Sequence, residues 1–437
     1  MAGDTILAPS TAPGRAGIAV LRVSGPCAGQ AVRALSGSGP PAPKHAVLKT
    51  FRDAQGTVID RGLLLWFEGP HSFTGEDIAE FHVHGGRAIV EAMLNALSSV
   101  EGLRAAEPGE FTRRAVENGK LDLTQAEALA DLIDSQTEAQ RKQALAQFGG
   151  ALSELYEGWR TRIIRAVGLT EAVLDFPDEE VPDDVPNTVQ HIVAGLIAEI
   201  RAHLDDHRRG EILRDGVNLT VFGKPNSGKS SLLNALAQRD VAIVSEVAGT
   251  TRDVIEVRLD LGGYPVIVSD TAGLRESSDP IEQEGVRRAI AKAKAADIAL
   301  LLVDASDPAP TAGLPPDVGD VLDLVVWNKT DIGEPRLGGI PISAKTGTGL
   351  PELLSKISEL AGKLLKGQRN EAPLTRIRHR THLEEALGAL ERSQGVPERE
   401  LSGEDLRLAL RSLGRITGRV DVEDVLDVVF REFCIGK

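Results

Sequence analysis

Gly223-Lys224-Pro225-Asn226-Ser227-Gly228-Lys229-Ser230 constrains this chain more than any other stretch of it. It satisfies G-x-x-x-x-G-K-[ST] inside NLTVFGKPNSGKSSLLNALA, strand-like before the first glycine and helix-like after the second. Glycines let the backbone wrap a phosphate chain, and amides at a helix N-terminus donate to its oxygens. Asn226, Ser227, Gly228 and Ser231 belong to that wrap. Lys229 is expected to reach the β- and γ-phosphates, and Ser230 to ligate Mg2+. A loop of this kind needs a buried strand behind it. The runs VIVSD, IALLLVDAS and LVVWNK alternate with helical stretches, the βαβ rhythm of a mostly parallel α/β sheet.

Short motifs at the strand ends complete the picture. Asp270-Thr271-Ala272-Gly273 closes VIVSD, where a carboxylate approaches magnesium through water and a glycine amide meets a γ-phosphate. Asn328-Lys329-Thr330-Asp331 closes LVVWNK. The Asp331 carboxylate can accept the ring N–H and the amino group of guanine together, a pairing adenine cannot offer. Ser343-Ala344-Lys345 follows a further short strand and offers a backbone amide to the guanine oxygen. Each tetrapeptide alone is a weak signal, but in this order they point to GTP and GDP rather than ATP. Ser245-Glu246-Val247-Ala248-Gly249-Thr250-Thr251 lies where a switch loop belongs. Thr251 is the expected second Mg2+ hydroxyl and Thr250 the alternative; a polar surface loop is the plain reading of the same residues. Signalling GTPases place a water-orienting glutamine after this DTAG. Here Leu274 stands there, so another group or a partner must hold the water.

Outside this module the texture changes. Residues 1 to about 118 mix the β-like runs GIAVLRVSG and LLLWFEGP with glycine turns and one amphipathic pattern, AIVEAMLNALSSV. LTQAEALADLIDSQTEAQRKQALAQF then reads as one helical run, with Thr124 and Glu127 in capping-box spacing and Leu129, Leu132 and Ile133 on one face. SELYEGWRTRIIRAVGLTEAVLDF continues in that style, PDEEVPDDVPN is a solvated connection, and a third helix is expected at 187–209. After about 371 RTHLEEALGALERSQ, SGEDLRLALRSLGRITG and DVEDVLDVVFREF are again helical, with Ser402 and Asp405 in capping spacing. Helices on both sides of an α/β module imply an insertion into one helical domain. The expected boundaries are 1–118 for an α+β N-terminal domain, 119–210 and 372–437 for the split helical domain, and 211–371 for the insert.

Composition narrows the function classes. Lysine and arginine number 49 against 64 aspartates and glutamates, a formal charge of −15 that argues against broad non-specific nucleic-acid binding. No apolar stretch approaches the ~18 residues of a membrane span, and the N-terminus lacks the pattern of a signal peptide. The two cysteines, Cys27 and Cys434, cannot form a disulfide framework, so a reducing, cytoplasmic setting is expected.

GKPNSGKSSLLNAL, VAGTTRD, DTAGLR, NKTD and SAK resemble the TrmE-Era-Septin-like GTPases. Cys434-Ile435-Gly436-Lys437, Phe73-Thr74-Gly75-Glu76-Asp77 and Gly119-Lys120-Leu121-Asp122-Leu123 narrow the likeness to the tRNA uridine-34 modification GTPases of that superfamily, over essentially the whole chain. The resemblance implies a homodimer held by a folate-binding N-terminal domain, with a Ras-like P-loop G domain inserted into the helical domain. It implies a complex with the FAD-dependent MnmG that adds an aminomethyl or carboxymethylaminomethyl group to C5 of the wobble uridine of tRNA. The one-carbon unit would come from 5-formyl- or 5,10-methylene-tetrahydrofolate. Residue by residue, it assigns Arg22, Glu80, Lys120 and Lys437 to folate. It assigns Asn226, Ser245, Val247 and Thr250 to K+, and Glu282 in Pro280-Ile281-Glu282-Gln283-Glu284-Gly285 to directing water. On their own, Arg22 and Glu80 would read as surface charges and Glu282 as a helix-start charge. Cys434 stands close to where a one-carbon carrier would bind, but no basic neighbour in sequence lowers its pKa. A catalytic and a packed role both stay open for it.

The tRNA itself leaves little mark on composition. Residues 372–437 carry eleven basic against twelve acidic side chains. Arg407, Arg411, Arg415 and Arg419 recur at four-residue spacing, either a basic face or a salt-bridged one. A regulatory GTPase switch in RNA or ribosome assembly therefore remains a second reading of the residues, and a one-carbon transferase gated by GTP a third.

Overall fold

The computed structural model describes residues 4–175, 185–243, 256–270, 291–309, 319, 322–336, 338–366, 372–395, 399–420, 426, 429, 430, 433 and 436. Two compact units divide the chain. The first holds Met1–Ala130, Phe148–Thr161 and Leu410–Lys437; the second holds Asp131–Gln147 and Arg162–Ala409.

In the first unit six described strands form one sheet in the order β3-β4-β5-β2-β1-β6. They are β1 (Thr5–Pro9), β2 (Ala16–Ser24), β3 (Val47–Arg52), β4 (Val58–Phe67), β5 (Ile78–Gly85) and β6 (Leu103–Ala105). Only β1 and β6 run parallel; the other pairings are antiparallel. Alternation decides which side chains face the core. Ala19, Leu21 and Val23 of β2 are buried with Phe81 and Val83 of β5 against α1 (Ala28–Ser36) and α2 (Arg87–Ser98). Arg22 therefore points to the opposite face, in register with Glu80 of β5, which is itself in register with Leu65 of β4. The β-like runs expected before residue 118 are these strands.

The helical run expected at 123–148 is two helices, α4 (Leu123–Asp134) and α5 (Glu138–Phe148), α3 being Glu110–Glu117. Their caps also differ from expectation. Thr124 does not open α4: Asp122 does, its Oδ1 accepting from the Gln125 amide at 2.9 Å while Gln125 Oε1 accepts from the Asp122 amide at 3.1 Å. Glu127 lies buried within the helix. A second reciprocal box, Thr137 with Gln140, starts α5 (3.2 and 3.4 Å) and so ends the earlier run. At the far end of the unit Leu426, Val429, Phe430 and Phe433 pack on Leu123 and Ala126. Gly436 then lies so close to Pro9 that a Cβ would meet its carbonyl oxygen at 1.9 Å, and Ser10 Oγ donates to the Gly436 carbonyl at 3.1 Å.

Helix α6 (Ala151–Asp175) begins in the first unit and enters the second at Arg162, and α7 (Val185–Leu204) follows it there. The third helix expected at 187–209 stops at Leu204, because His207 and Arg208 take left-handed backbone (φ 52° and 60°) before α8 (Arg209–Asp215). The sheet that follows has the order β12-β11-β10-β7-β9-β8. Its strands are β7 (Val217–Phe222), β8 (Glu256–Leu261), β9 (Tyr264–Asp270), β10 (Ile298–Asp304), β11 (Leu324–Asn328) and β12 (Ile340–Pro341). All pair in parallel except the edge hairpin β8–β9. Val217, Leu219 and Val221 are buried against Leu232, Leu233 and Leu236 of α9 (Lys229–Ala237), and α10 (Leu350–Leu365) adds Leu353 and Ile357. Side chains buried to this degree contribute about 1.5–3 kcal/mol each. β7 has β10 on one side and β9 on the other, so the chain reverses strand order at its carboxyl end, where ligands of such sheets bind.

Helix α11 (Ile377–Gly395) lies in the second unit, and α12 (Arg399–Thr417) starts there and passes into the first at Leu410. Ser402 and Asp405 cap neither: α12 has already begun, Ser402 Oγ donates to the Ser393 carbonyl at 3.0 Å, and Asp405 accepts from Arg392 at 3.0 Å. None of the described helices is long and apolar enough to cross a membrane.

Candidate functional site

The phosphate loop leaves β7 at Phe222 and enters α9 at Lys229. Asn226 and Gly228 both adopt positive φ (62° and 95°), which curls the backbone tightly between β7 and α9. A Cβ on Gly228 would stand 2.3 Å from Asn328 Nδ2, so only glycine fits against the neighbouring loop. Ser227 is almost wholly buried, and Lys229 is tucked into its own loop, its Nζ donating to the Gly223 and Lys224 carbonyls at 3.0 Å each. Ser230 Oγ donates to Asp270 Oδ2 at 3.2 Å. That hydroxyl and carboxylate, one from α9 and one from the end of β9, are a donor set that suits a hard cation.

The residues of the NKTD and SAK motifs gather beside them. Asn328 Nδ2 donates to the Ser227 carbonyl at 2.9 Å and Asn328 Oδ1 accepts from the Ala344 amide at 3.0 Å. Asn328 thus ties three loops together rather than facing solvent. Asp331 Oδ1 accepts from Ser343 Oγ at 2.8 Å, which orients the carboxylate. Lys329 has left-handed backbone (φ 63°) and donates to Asp304 Oδ2 at 2.6 Å. Burial alone would push the Asp304 carboxyl up, but hydrogen bonds from Lys329 and Ser306 hold it below the usual range. Ser231 and Lys345 lie exposed at the rim. Ser245, Glu246, Val247, Ala248, Gly249, Thr250, Thr251, Thr271, Ala272, Gly273 and Glu282 lie outside the described residues, as do Cys434 and Lys437.

The N-terminal sheet carries a second polar cluster. Arg22 Nη2 stands 2.9 Å from Glu80 Oε1, and Glu80 Oε2 stands 3.2 Å from His82 Nε2. The Arg22 guanidinium lies 5.8 Å from the Phe73 ring centroid and 5.7 Å from that of Phe111, within cation–π range of both. Sequence reasoning missed both rings. Phe73 carried a signal, as the first residue of FTGED, whereas Phe111 on α3 is joined to Arg22 only by the fold. The rest of FTGED is scaffolding. Glu76 pairs with Arg114 at 3.0 Å and accepts from Ser24 Oγ at 2.7 Å, and the Thr74 carbonyl accepts from Asn118 at 2.7 Å. Lys120 donates to the Pro70 carbonyl at 2.9 Å, and among the described contacts none joins it to Arg22 or Glu80.

The arginine row at 407–419 is salt-bridged where its partners are described. Arg407 pairs with Glu171 at 2.6 Å and Glu404 at 3.5 Å, and Arg419 with Glu157 at 3.3 Å. Such exposed pairs fit a solvated face.

Comparison with known proteins gives concordant results. The family described as the GTP-binding protein TrmE N-terminus matches residues 5–120, and the MnmE helical domain family matches 123–434. A tRNA modification GTPase MnmE from Parvibaculum lavamentivorans is 56% identical over 99% of this chain and 100% of its own length. Proteins of the same name from Rhodospirillum rubrum and Paramagnetospirillum magneticum are each 52% identical, over 100% and 99% of this chain and the whole of their own.

Proposed function

Because the chain belongs to the MnmE family of tRNA modification GTPases, we propose that it acts with the FAD-dependent MnmG to add an aminomethyl or carboxymethylaminomethyl group to C5 of uridine 34 in tRNA. The one-carbon unit comes from 5-formyl- or 5,10-methylene-tetrahydrofolate, and the reaction belongs to the cytoplasm. We assign 1–118 to folate binding and homodimerisation, 119–210 and 372–437 to the helical domain, and 211–371 to the G domain. Leu48, Val58 and Leu63, exposed on β3 and β4, support a dimer surface there.

The observation that carries the folate assignment is the Arg22–Glu80 pair on the face of the sheet opposite α1 and α2, with Phe73 and Phe111 beside it. A pterin offers amino and ring N–H donors to the Glu80 carboxylate, and a glutamate tail offers carboxylates to lysines such as Lys120 and Lys437. The contact of Gly436 with Pro9 supports Lys437 as a member, because Pro9 adjoins Ala8, the register partner of Arg22. Calorimetric titration of the full chain with 5-formyltetrahydrofolate is expected to show binding that Glu80→Gln weakens by roughly 10- to 100-fold, the worth of a charge-assisted hydrogen bond. Absence of binding by the wild-type chain would favour a regulatory GTPase without modification chemistry.

In the G domain, Ser230 and Thr251 would hold Mg2+, and Asn226 with Ser245, Val247 and Thr250 would hold K+. A monovalent cation there supplies positive charge where other GTPases insert an arginine. Hydrolysis is accordingly expected to be roughly an order of magnitude faster in KCl than in NaCl at matched ionic strength and saturating Mg2+. Equal rates, at protein concentrations that permit G domains to pair, would remove K+ from the account.

A further inference from the structure

The segment that follows β10 grips both nucleotide loops. Asp304, the last residue of β10, stands in register with Asn328 of β11. Its Oδ2 accepts from Lys329 Nζ at 2.6 Å, while Ser306 holds its Oδ1 through the backbone amide at 2.8 Å and the hydroxyl at 2.6 Å. The Ala305 amide donates to the Asn328 carbonyl at 2.8 Å, so the segment is pinned to the base-reading loop by main chain as well. Three residues beyond Asp304, Asp307 Oδ2 accepts from Lys224 Nζ at 3.0 Å and Asp307 Oδ1 accepts from the Ala309 amide at 2.8 Å. Lys224 also donates to the Ala309 carbonyl. Lys224 is the second residue of the phosphate loop, and its own carbonyl is one of the two that hold Lys229. One short segment thus carries two carboxylates, each paired with a lysine from a different nucleotide loop. Neither carboxylate belongs to the phosphate-loop, DTAG, NKTD or SAK motifs.

We propose that Asp304 and Asp307 are positioning residues that set the lifetime of bound guanine nucleotide, by fixing Lys329 and Lys224 and with them the spacing between the base-reading and phosphate loops. The proposal rests on the assignment of 223–230 and 328–331 as those loops. A slot held at the spacing of its ligand loses less conformational freedom on binding, and release must work against that fixed geometry. Neutralising either carboxylate lets its lysine swing and restores loop freedom to the empty site. The pairs are part-exposed, with side-chain exposures of 31% and 18% for Lys329 and Asp304 and 27% and 28% for Lys224 and Asp307, so each carries a modest factor rather than the whole affinity.

The test is the release of N-methylanthraniloyl-GDP from the full chain, followed by stopped-flow fluorescence after a chase of unlabelled GDP. Asp304→Asn and Asp307→Asn are each expected to speed release by roughly two- to fivefold. Lys224→Met should speed release less in the Asp307→Asn background than in the wild-type chain, because part of its effect runs through the shared pair and only its bond to the Ala309 carbonyl is left to lose. The thermal unfolding midpoint of the Asp307→Asn chain should stay near that of the wild type while its release is faster, a separation that a merely structural role would not give. Asp307 lies at the surface, so its variant keeps the proposal testable even if Asp304→Asn folds poorly. Wild-type release rates in both aspartate variants would overturn the proposal. A wild-type chain that binds no guanine nucleotide would instead overturn the loop assignment, and the proposal with it.

Discussion

Asp331→Asn is expected to lower GTP affinity by on the order of 10²–10⁴-fold and to shift preference to xanthosine nucleotides. A carboxylate only accepts hydrogen bonds, and guanine presents two donors side by side, its ring N–H and its 2-amino group. Each charge-assisted bond is worth about 1.5–3 kcal/mol, so losing both supplies the expected range. Ser343 Oγ, 2.8 Å from Asp331 Oδ1, fixes the carboxylate before the base arrives. The asparagine variant places an amide N–H₂ where an acceptor was, which opposes the guanine amino group and suits the 2-oxo group of xanthine. Equilibrium titrations with GDP and XDP, on wild type and variant, read both halves of the prediction. GTP affinity unchanged in the variant would take Asp331 out of the base site.

Glu282→Ala is expected to abolish most hydrolysis while leaving GTP affinity nearly intact. Leu274 stands where a signalling GTPase carries its water-orienting glutamine, and an apolar side chain cannot hold the nucleophile. Glu282 follows eight residues later in the segment that DTAG begins. Its carboxylate need not remove a proton outright; holding a bridging water is enough, and such roles are worth about 10²–10⁴ in rate. Binding should not suffer, because the proposed phosphate contacts are those of Lys229, Ser230 and the loop amides. Loss of Lys229 would damage both affinity and rate, and that difference separates a binding role from one exerted in the transition state. Single-turnover hydrolysis in potassium buffer, beside a nucleotide titration, makes the distinction. A variant within a few-fold of wild type would return Glu282 to an ordinary surface charge.

What could be read from the sequence followed the range of the interactions involved. The phosphate loop was legible because its spacing, its strand and its helix are all local, and the structure sets them as β7, Phe222 to Lys229 and α9. The βαβ rhythm was legible because strands covered on both faces are continuous apolar runs. Capping was less so. Thr124 with Glu127 and Asp122 with Gln125 satisfy the same spacing rule, and the structure uses the pair two residues earlier. Ser402 with Asp405 also has that spacing, yet both side chains bond to the end of α11, a tertiary contact no local pattern reports. The Arg22 cluster depends on the register of β2 with β5 and on Phe111 from α3. Without alternation and register, Arg22 and Glu80 are two charges 58 residues apart. Likewise the staple at Asp304 and Asp307 joins side chains 25 and 83 residues distant, so nothing in either aspartate's neighbourhood announces it.

The most direct test of the account is reconstitution of the full chain with MnmG, unmodified tRNA, methylene-tetrahydrofolate, a nitrogen donor and K+, with nucleosides quantified by mass spectrometry. The account predicts a C5-substituted uridine at position 34 when GTP is present, and its near absence with GDP or with Glu282→Ala. Modification that proceeds equally with GDP, or in the hydrolysis-deficient variant, would contradict it.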